Sequence, residues 1–292
     1  MIYSLLLCLS LLFLPEKGEI VYGSIDYLEV LELKDASSPI DWYEKSRAVG
    51  VIIPMNEMIQ SSEGTYQIRD FRLREEIEQL NPNHPFTNQV CVGIGTVFLV
   101  DSTRIMTAGH LVKDLRKSVI VFDYEWDCKS SSLLKKTYQQ NEVFRLKKVV
   151  KRKNSRKGDY ALIELDKVVT DRPFLTLEPY TSNVESLKTI SSPDGTPLKL
   201  TNQGFVWKKD PRIEKLSSEG FFLHNLDNSG GSSGAPIFNA KTGQVIGIQS
   251  GGDDNYIKIG GFVYSVKGDD EGNNTNIGRP LSGEVGSKIP DL

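Results

Sequence analysis

The feature that most restricts the fold is a series of short apolar runs that starts near Val90. The runs alternate with turn residues, are rich in β-branched and aromatic side chains, and are too short to be helices. No stretch from Val90 to Tyr264 has the long 3.6-residue periodicity of an amphipathic helix. Short strands that recur in this way are typical of an all-β barrel or sandwich. The runs are 97–100, 119–121, 160–165, 237–238, 245–248 and 262–264.

Two segments outside this series predict helices. Residues 68–80 place Phe71, Ile77 and Leu80 at roughly helical spacing, and two prolines follow that would end a helix. Residues 282–288 are long enough for one or two closing turns. We therefore expect a short N-terminal helix and a short C-terminal helix beside the strands.

The composition is that of an ordinary folded protein. Of 292 residues, 39% are hydrophobic and 25% are charged, which excludes a disordered chain and is enough for one large domain or two small ones. The formal net charge of −3 argues against a protein that coats nucleic acid. The basic segment 145–158 contains no aromatic side chain on which a base could stack. We therefore expect a solvated hairpin there and no nucleic-acid partner.

The N-terminal segment predicts export. Residues 2–14 form an apolar run that is shorter than the roughly 20 residues of a membrane-spanning helix and fits the core of a signal peptide. Val21 and Gly23 stand three and one positions before a cleavage site after Gly23. We expect a signal peptide at 1–23, a secreted or periplasmic protein, and no membrane span after its removal; the alternative is a buried N-terminal strand or helix. Residues 24–50 are either a propeptide, which would make the chain a zymogen, or an N-terminal arm.

The three cysteines do not predict a metal site. Cys8 lies in the expected signal peptide, and Cys91 and Cys128 are either joined in one disulfide or remain two thiols. The chain has no Cys-x-x-Cys motif, and none of its three histidines clusters with cysteine. We expect no bound metal and no cofactor.

The segment 228–236 has the residue types of an acyl-transfer site. It reads Asn-Ser-Gly-Gly-Ser-Ser-Gly-Ala-Pro. Acyl transfer needs an exposed nucleophile on a tight turn and backbone N–H groups aimed at the oxygen that becomes negative. Ser233 can be the nucleophile, and Gly231 lets the chain turn so that its N–H and that of Ser233 converge. Taken alone, the segment could equally be a plain Gly- and Ser-rich loop.

A serine nucleophile needs a base, and the base needs an orienting carboxylate. His110 ends a small-residue segment after an apolar strand, where an imidazole can stand at a barrel edge. His84 lies between prolines and is expected on the surface, and His224 is expected in a loop that can line a pocket. Asp159 heads an apolar strand, where a partly buried carboxylate needs a partner. Taken alone, Asp159 is also explained as a turn residue at the strand end.

Three motifs, in the order His, Asp, Ser, together resemble the chymotrypsin-fold serine peptidases. They are Thr-Ala-Gly-His ending at His110, Gly-Asp-Tyr-Ala-Leu containing Asp159, and Gly-Ser-Ser-Gly-Ala-Pro around Ser233. The pattern is most similar to the bacterial branch typified by glutamyl endopeptidases. Residues 51–54 of this chain (Val-Ile-Ile-Pro) also resemble the start of the mature chains in that branch. The resemblance covers about 51–264.

The resemblance implies an all-β fold of two antiparallel six-stranded β barrels with the site in the cleft between them. The peptidase domain would be 51–292, with barrel 1 at about 86–180 and barrel 2 at about 181–268. The chain would be a monomer that acts on proteins or peptides.

Roles carried over by position make Ser233 the nucleophile and His110 the general base and then acid. Asp159 would fix the tautomer of His110, and the N–H groups of Gly231 and Ser233 would form the oxyanion hole. The implied activity is that of a serine endopeptidase working through an acyl-enzyme.

The implied substrate-binding residues are Asp227, Asn228, Gln249 and Ser250. An acid at the position of Asp227 selects Lys or Arg in the trypsin-type relatives, whereas the glutamyl branch uses a histidine where this chain has Gln249. The preference therefore stays open between a basic residue and glutamate. Ser232 stands where trypsin-like zymogens use an Asp to pair with a new N-terminus, so that switch is not available in the same form.

Two other classes of function remain as alternatives. One is an inactive pseudoprotease that acts as a secreted binding module, against which the presence of all three catalytic residue types argues. The other is an esterase on an α/β sheet, which is disfavoured because Ala235 replaces the second glycine of the Gly-x-Ser-x-Gly motif. That fold also places its histidine last in the chain.

Overall fold

Strands dominate the described part of the computed structural model, of which 41% is strand and 16% is helix. The structure describes residues 21–22, 27–82, 84–155, 158–206, 213–218, 221–251, 256–259, 262–265, 267–268 and 284–288. Most of the expected signal peptide, including the cleavage site after Gly23, lies outside these residues. In the described part of the chain, no helix combines the length and apolar character needed to cross a bilayer.

The two main sheets contain thirteen of the described strands. In chain order they are β1 (Tyr27–Glu29), β2 (Val49–Pro54), β3 (Gly95–Leu99), β4 (Arg104–Thr107), β5 (Ser118–Val121), β6 (Leu146–Ser155), β7 (Gly158–Leu165), β8 (Ser186–Ser191), β9 (Lys199–Phe205), β10 (Phe221–His224), β11 (Pro236–Asn239), β12 (Val245–Gly251) and β13 (Glu284–Lys288).

Both main sheets are antiparallel and curled, and they give the chain a chymotrypsin-like β-barrel fold. The first has six strands in the order β6-β7-β4-β3-β2-β5. The second has seven strands in the order β10-β13-β12-β11-β8-β9-β1, so it recruits strands from both ends of the described chain. The all-β prediction is confirmed, and the sheets hold six and seven strands.

Smaller elements surround the sheets. The short helices are Trp42–Ser46, Leu73–Glu76, Val112–Leu115 and Ile213–Ser218, and the 3₁₀ turns are Val30–Asp35, Met55–Glu57, Gly109–Leu111, Gln140–Glu142 and Pro193–Gly195. The remaining paired strands are Val21–Tyr22 with Lys267–Gly268, Met58–Gln60 with Tyr66–Ile68 and Thr137–Tyr138, Trp126–Asp127 with Ser132–Leu133, and Tyr256–Ile259 with Phe262–Ser265.

The core explains why the apolar runs form strands. Val51, Ile52 and Ile53 in β2 are completely buried, as are Ile237 and Phe238 in β11. Runs of this kind have both faces covered, because the curled sheets enclose one face and the surrounding loops and short helices cover the other. All the predicted apolar runs except 262–264 thus lie in the two main sheets, and 262–264 lies in the separate pair Tyr256–Ile259 with Phe262–Ser265.

Both predicted helices need correction. Within 68–80 only Leu73–Glu76 is helical, because Leu73 N–H donates to the carbonyl of Gln89 and Cys91 N–H donates to that of Phe71. These long-range bonds hold the flanking residues extended. The expected C-terminal helix at 282–288 is also wrong: Glu284–Lys288 is β13, which pairs with β10 on one side and β12 on the other. Two strand edges that need hydrogen-bond partners override the local preference.

His84 is not a surface residue. It is 3% exposed, packs edge-on against Phe86 with the ring centres 5.6 Å apart, and accepts the Phe86 N–H at Nδ1. Burial, followed by the nearby Lys199 charge, lowers the pKa of His84 to about 4. Cys91 and Cys128, the two cysteines among the described residues, are not joined in a disulfide: Cys91 is buried and Cys128 is exposed.

Candidate active site

His110 and Asp159 form the centre of the candidate active site. His110 Nδ1 lies 2.6 Å from Asp159 Oδ2, and the His110 backbone N–H donates to Asp159 Oδ1 over 2.8 Å. The His110 side chain is 38% exposed, whereas that of Asp159 is 12% exposed. One carboxylate therefore holds both the ring and the backbone of the histidine, with Nε2 left available as an acceptor.

Local structure explains how the pair is placed. β4 ends at Thr107, and the 3₁₀ turn Gly109–Leu111 brings His110 over the first residues of β7, which contains Asp159. A Cβ at position 109 would overlap the carbonyl oxygen of Lys153, so only glycine fits there. Arg152 Nε donates to the Gly109 carbonyl over 2.7 Å and fixes the same peptide.

The Gly-Ser turn around Ser233 packs against the strands that lead to His110. The Ser233 carbonyl accepts the Thr96 N–H at 2.8 Å, and Gly234 N–H donates to the Gln249 carbonyl at 2.7 Å. Gly234 has a φ of 89°, and a Cβ there would overlap Thr96 and Thr107. The turn is therefore held within contact of the segment that ends at His110.

The structure brings His110 and Asp159 together and places Ser233 on the adjoining turn. Ser233 is half-buried, and within the described residues its hydroxyl forms no hydrogen bond, to His110 or to any other group. Catalytic hydrogen bonds are often absent or long in a protease without substrate.

Backbone donors in this turn follow an informative pattern. The N–H groups of Ser232, Gly234 and Ala235 donate to carbonyls of Ser229, Gln249 and Ser232. Those of Gly231 and Ser233 donate to no other described residue. Gly231 has a φ of 91° and packs so closely on the carbonyl of Ser192 that a side chain would not fit. The two donors predicted for the oxyanion hole thus have no hydrogen-bond acceptor among the described residues.

Sequence reasoning missed Thr96, which joins both barrels at the turn. This completely buried threonine donates its hydroxyl to the Gly231 carbonyl over 2.9 Å and accepts the Ser192 N–H at 3.2 Å. Its N–H also binds the Ser233 carbonyl. A hydroxyl residue inside an apolar strand (Gly-Thr-Val-Phe-Leu) is the signal that marks such a position.

The expected substrate-binding residues lie in one buried polar region. Asp227, Asn228 and Gln249 are at most 3% exposed, and Ser250 is half-buried, with its hydroxyl on the Asp159 carbonyl at 3.3 Å. Asn228 Nδ2 donates to the Leu226 carbonyl, and Gln249 Nε2 donates to that of Gly251. Ser232 is also buried, and its hydroxyl contacts that of Ser191 at 3.1 Å.

His224 belongs to this region and is not a loop residue. It ends β10, is fully buried and contacts the side chain of Gln249. Its Nδ1 accepts the Leu226 N–H at 3.2 Å, so its proton sits on Nε2. Burial lowers the pKa of His224 to about 3, which keeps the ring uncharged at neutral pH.

A β-barrel fold with a His–Asp pair beside a Gly-Ser turn defines the class of chymotrypsin-like serine proteases. Residues 95–248 match the family model described as the trypsin-like peptidase domain, which is more than half of the chain. The chain belongs to this family. Its substrates are accordingly peptides. A comparison with curated proteins found no match.

Two solved structures illustrate what the chain is similar to. Rv3671c from Mycobacterium tuberculosis, crystallised as a serine-to-alanine mutant in an inactive form, has 14% identity and a TM-score of 0.41, over 83% of this chain and 82% of that one. The serine endoprotease from Yersinia pestis has 15% identity and a TM-score of 0.42, over 72% of this chain and 56% of that one.

Proposed function

We propose that this protein is a secreted serine endopeptidase that cleaves peptide bonds through Ser233, His110 and Asp159. The observation that carries the proposal is the two-point contact of Asp159 with His110, 2.6 Å and 2.8 Å long, beside the Gly-Ser turn. The unbonded N–H groups of Gly231 and Ser233 on that turn support it further.

Acylation is the first half of the proposed reaction. Ser233 Oγ attacks the carbonyl carbon of the substrate, and the hydroxyl proton passes to His110 Nε2. The carbonyl oxygen gains the negative charge, which the N–H groups of Gly231 and Ser233 stabilise. When the C–N bond breaks, His110 returns the proton to the departing amine, and the acyl group stays on Ser233.

Deacylation repeats the same steps with water. His110 takes a proton from the water as its oxygen attacks the ester carbon, and gives it to Ser233 Oγ when the C–O bond breaks. Asp159 acts through His110: its contact with Nδ1 fixes the tautomer in which Nε2 accepts a proton and stabilises the imidazolium that forms.

For the residue before the scissile bond, we propose a basic side chain. Asp227 is a buried acid in the expected pocket, and His224 is uncharged there, so this histidine adds no positive charge to attract glutamate. The motifs of the glutamyl-endopeptidase branch favour glutamate instead. Cleavage-site profiling on a mixed peptide library decides between the two, because cuts after glutamate would exclude Asp227 as the selecting group.

We further propose that residues 24–50 form a retained N-terminal arm and that the leader 1–23 directs export. Support for the arm comes from β1, which pairs with β9, and from β2, which already begins at Val49. Support for export comes from the apolar run 2–14. N-terminal sequencing of protein from the culture medium should begin at Ser24, whereas a start at Val51 would favour a propeptide.

The activity is tested with a fluorophosphonate probe and an internally quenched peptide library. The wild type should be labelled and active, and Ser233→Ala should lose labelling and about 10⁴–10⁶ of turnover. Ser62→Ala, at an exposed turn, is the matched control and should change neither. An unlabelled, inactive but folded wild type would overturn the proposal in favour of a pseudoprotease that binds a partner.

A further inference from the structure

A groove of about 410 Å³ opens beside the Gly-Ser turn. One wall comes from the segment 54–94, which contributes the half-buried apolar side chains Phe71 and Ile77. Asp194, Gly195 and Gly230 complete the lining, and Gly230 belongs to the Gly-Ser turn. The groove thus reaches the Gly-Ser turn that carries Ser233.

The position of the groove assigns it to the leaving-group side of the substrate. The buried polar region that contains Asp227 and Gln249 meets the turn at the bond from Gly234 N–H to the Gln249 carbonyl, and it is the proposed pocket for the residue before the scissile bond. Gly231, two residues before Ser233, packs against Ser192 and against Gly195, and Gly195 lines the groove. A peptide that enters the first pocket and crosses Ser233 therefore continues into the groove.

The charge of the groove is negative. Among the residues that the structure describes, its lining includes Glu57, Glu76 and Asp194 and no Lys or Arg. Glu57 is partly offset by the exposed Arg69, 3.5 Å away, whereas Glu76 is exposed at the rim. Burial raises the pKa of the Cys91 thiol on the groove wall to about 12, with further contributions from Glu76 and Asp194.

We propose that this groove binds the residues that follow the scissile bond and selects a Lys or Arg side chain among them. The inference rests on the proposed peptidase function. A long basic side chain lays its aliphatic stem on Phe71 and Ile77 and places its charge beside Glu76 and Glu57. An acidic side chain in the same place meets like charges.

The test measures kcat/KM on internally quenched peptides that are identical up to the scissile bond. Arg, Leu or Glu is placed in turn at the first and the second position after it. The wild type should prefer Arg over Glu by about tenfold at one of the two positions, as expected for partly exposed charges. Glu76→Lys should abolish or reverse this preference, and Glu78→Lys, an exposed control outside the groove, should leave it unchanged.

The outcomes separate this inference from the proposed function. If cleavage depends on Ser233 but shows no preference for Arg, or if Glu76→Lys keeps the same preference, the proposed role of the groove is wrong and the proposed peptidase activity still holds. If no peptide is cleaved and the fluorophosphonate does not label the wild type, both proposals fail together. A preference that is lost in Glu76→Lys and kept in Glu78→Lys supports the groove.

Discussion

Glu29→Gln should strongly destabilise the protein, because it leaves a buried lysine without its carboxylate. Lys199 is fully buried, with Nζ 3.2 Å from Glu29 Oε1, 2.7 Å from Gln89 Oε1 and 2.9 Å from the Pro197 carbonyl. At 3.2 Å and an effective dielectric constant near 20, the lost attraction is about 5 kcal/mol. Breaking a buried pair typically costs about 3–5 kcal/mol, and we expect a loss of this size for Glu29→Gln.

The assay is thermal and urea unfolding followed by circular dichroism. A loss of about 3–5 kcal/mol should lower Tm by roughly 5–8 °C in a protein of this size. Lys199→Met combined with Glu29→Gln should recover most of the loss, because no unpaired charge then remains. If the free energy of unfolding of Glu29→Gln lies within about 1 kcal/mol of that of the wild type, Glu29 of β1 does not pair with Lys199 in the folded enzyme. The proposal of a retained N-terminal arm then loses its main support.

Three more predictions follow from the site and the core. Thr96→Val removes the hydroxyl that holds the Gly231 carbonyl, so kcat should fall about tenfold with KM unchanged; an unchanged kcat would show that the turn keeps its shape without it. Gly109→Ala forces the chain away from the Lys153 carbonyl and displaces His110, so kcat/KM should fall by about 100-fold. Full activity of this variant would show that a side chain at position 109 fits beside Lys153. Because the pKa of His84 is lowered to about 4 only in the folded state, the unfolded chain binds the extra proton between pH 6.5 and 4. The free energy of unfolding should therefore fall as the pH drops through that window, and His84 should contribute about 1.4 kcal/mol per pH unit to this fall. His84→Asn should remove this contribution. If the free energy of unfolding has the same slope against pH in the wild type and in His84→Asn, the lowered pKa of His84 is refuted.

The apolar runs of the sequence were sufficient to predict several strands of the two main sheets. The alternating apolar runs predicted strands because each is short and β-branched, and the strands β3, β5, β7, β11 and β12 lie on those runs. The structure places His110 Nδ1 against Asp159, and the roles of these two residues as base and carboxylate stay predictions. The catalytic role of Ser233 stays a prediction.

Long-range contacts decided what the sequence did not predict. Residues 284–288 have no strong strand preference, yet β10 and β12 present open edges on both sides of them. His84 is polar and lies among turn residues, but Phe86 and Lys199 enclose it. Thr96 was overlooked because its partners, Gly231 and Ser192, are far away along the chain.

The insertion of β13 between β10 and β12 affects when activity can first arise during biosynthesis. A ribosome-bound chain that has emerged only as far as Gly251 already contains His110, Asp159 and Ser233, but its second sheet still lacks β13, which is an interior strand. We expect such a nascent chain to have no peptidase activity on nearby proteins. Activity should arise only after residues 284–288 have been translated and β13 has paired with β10 and β12.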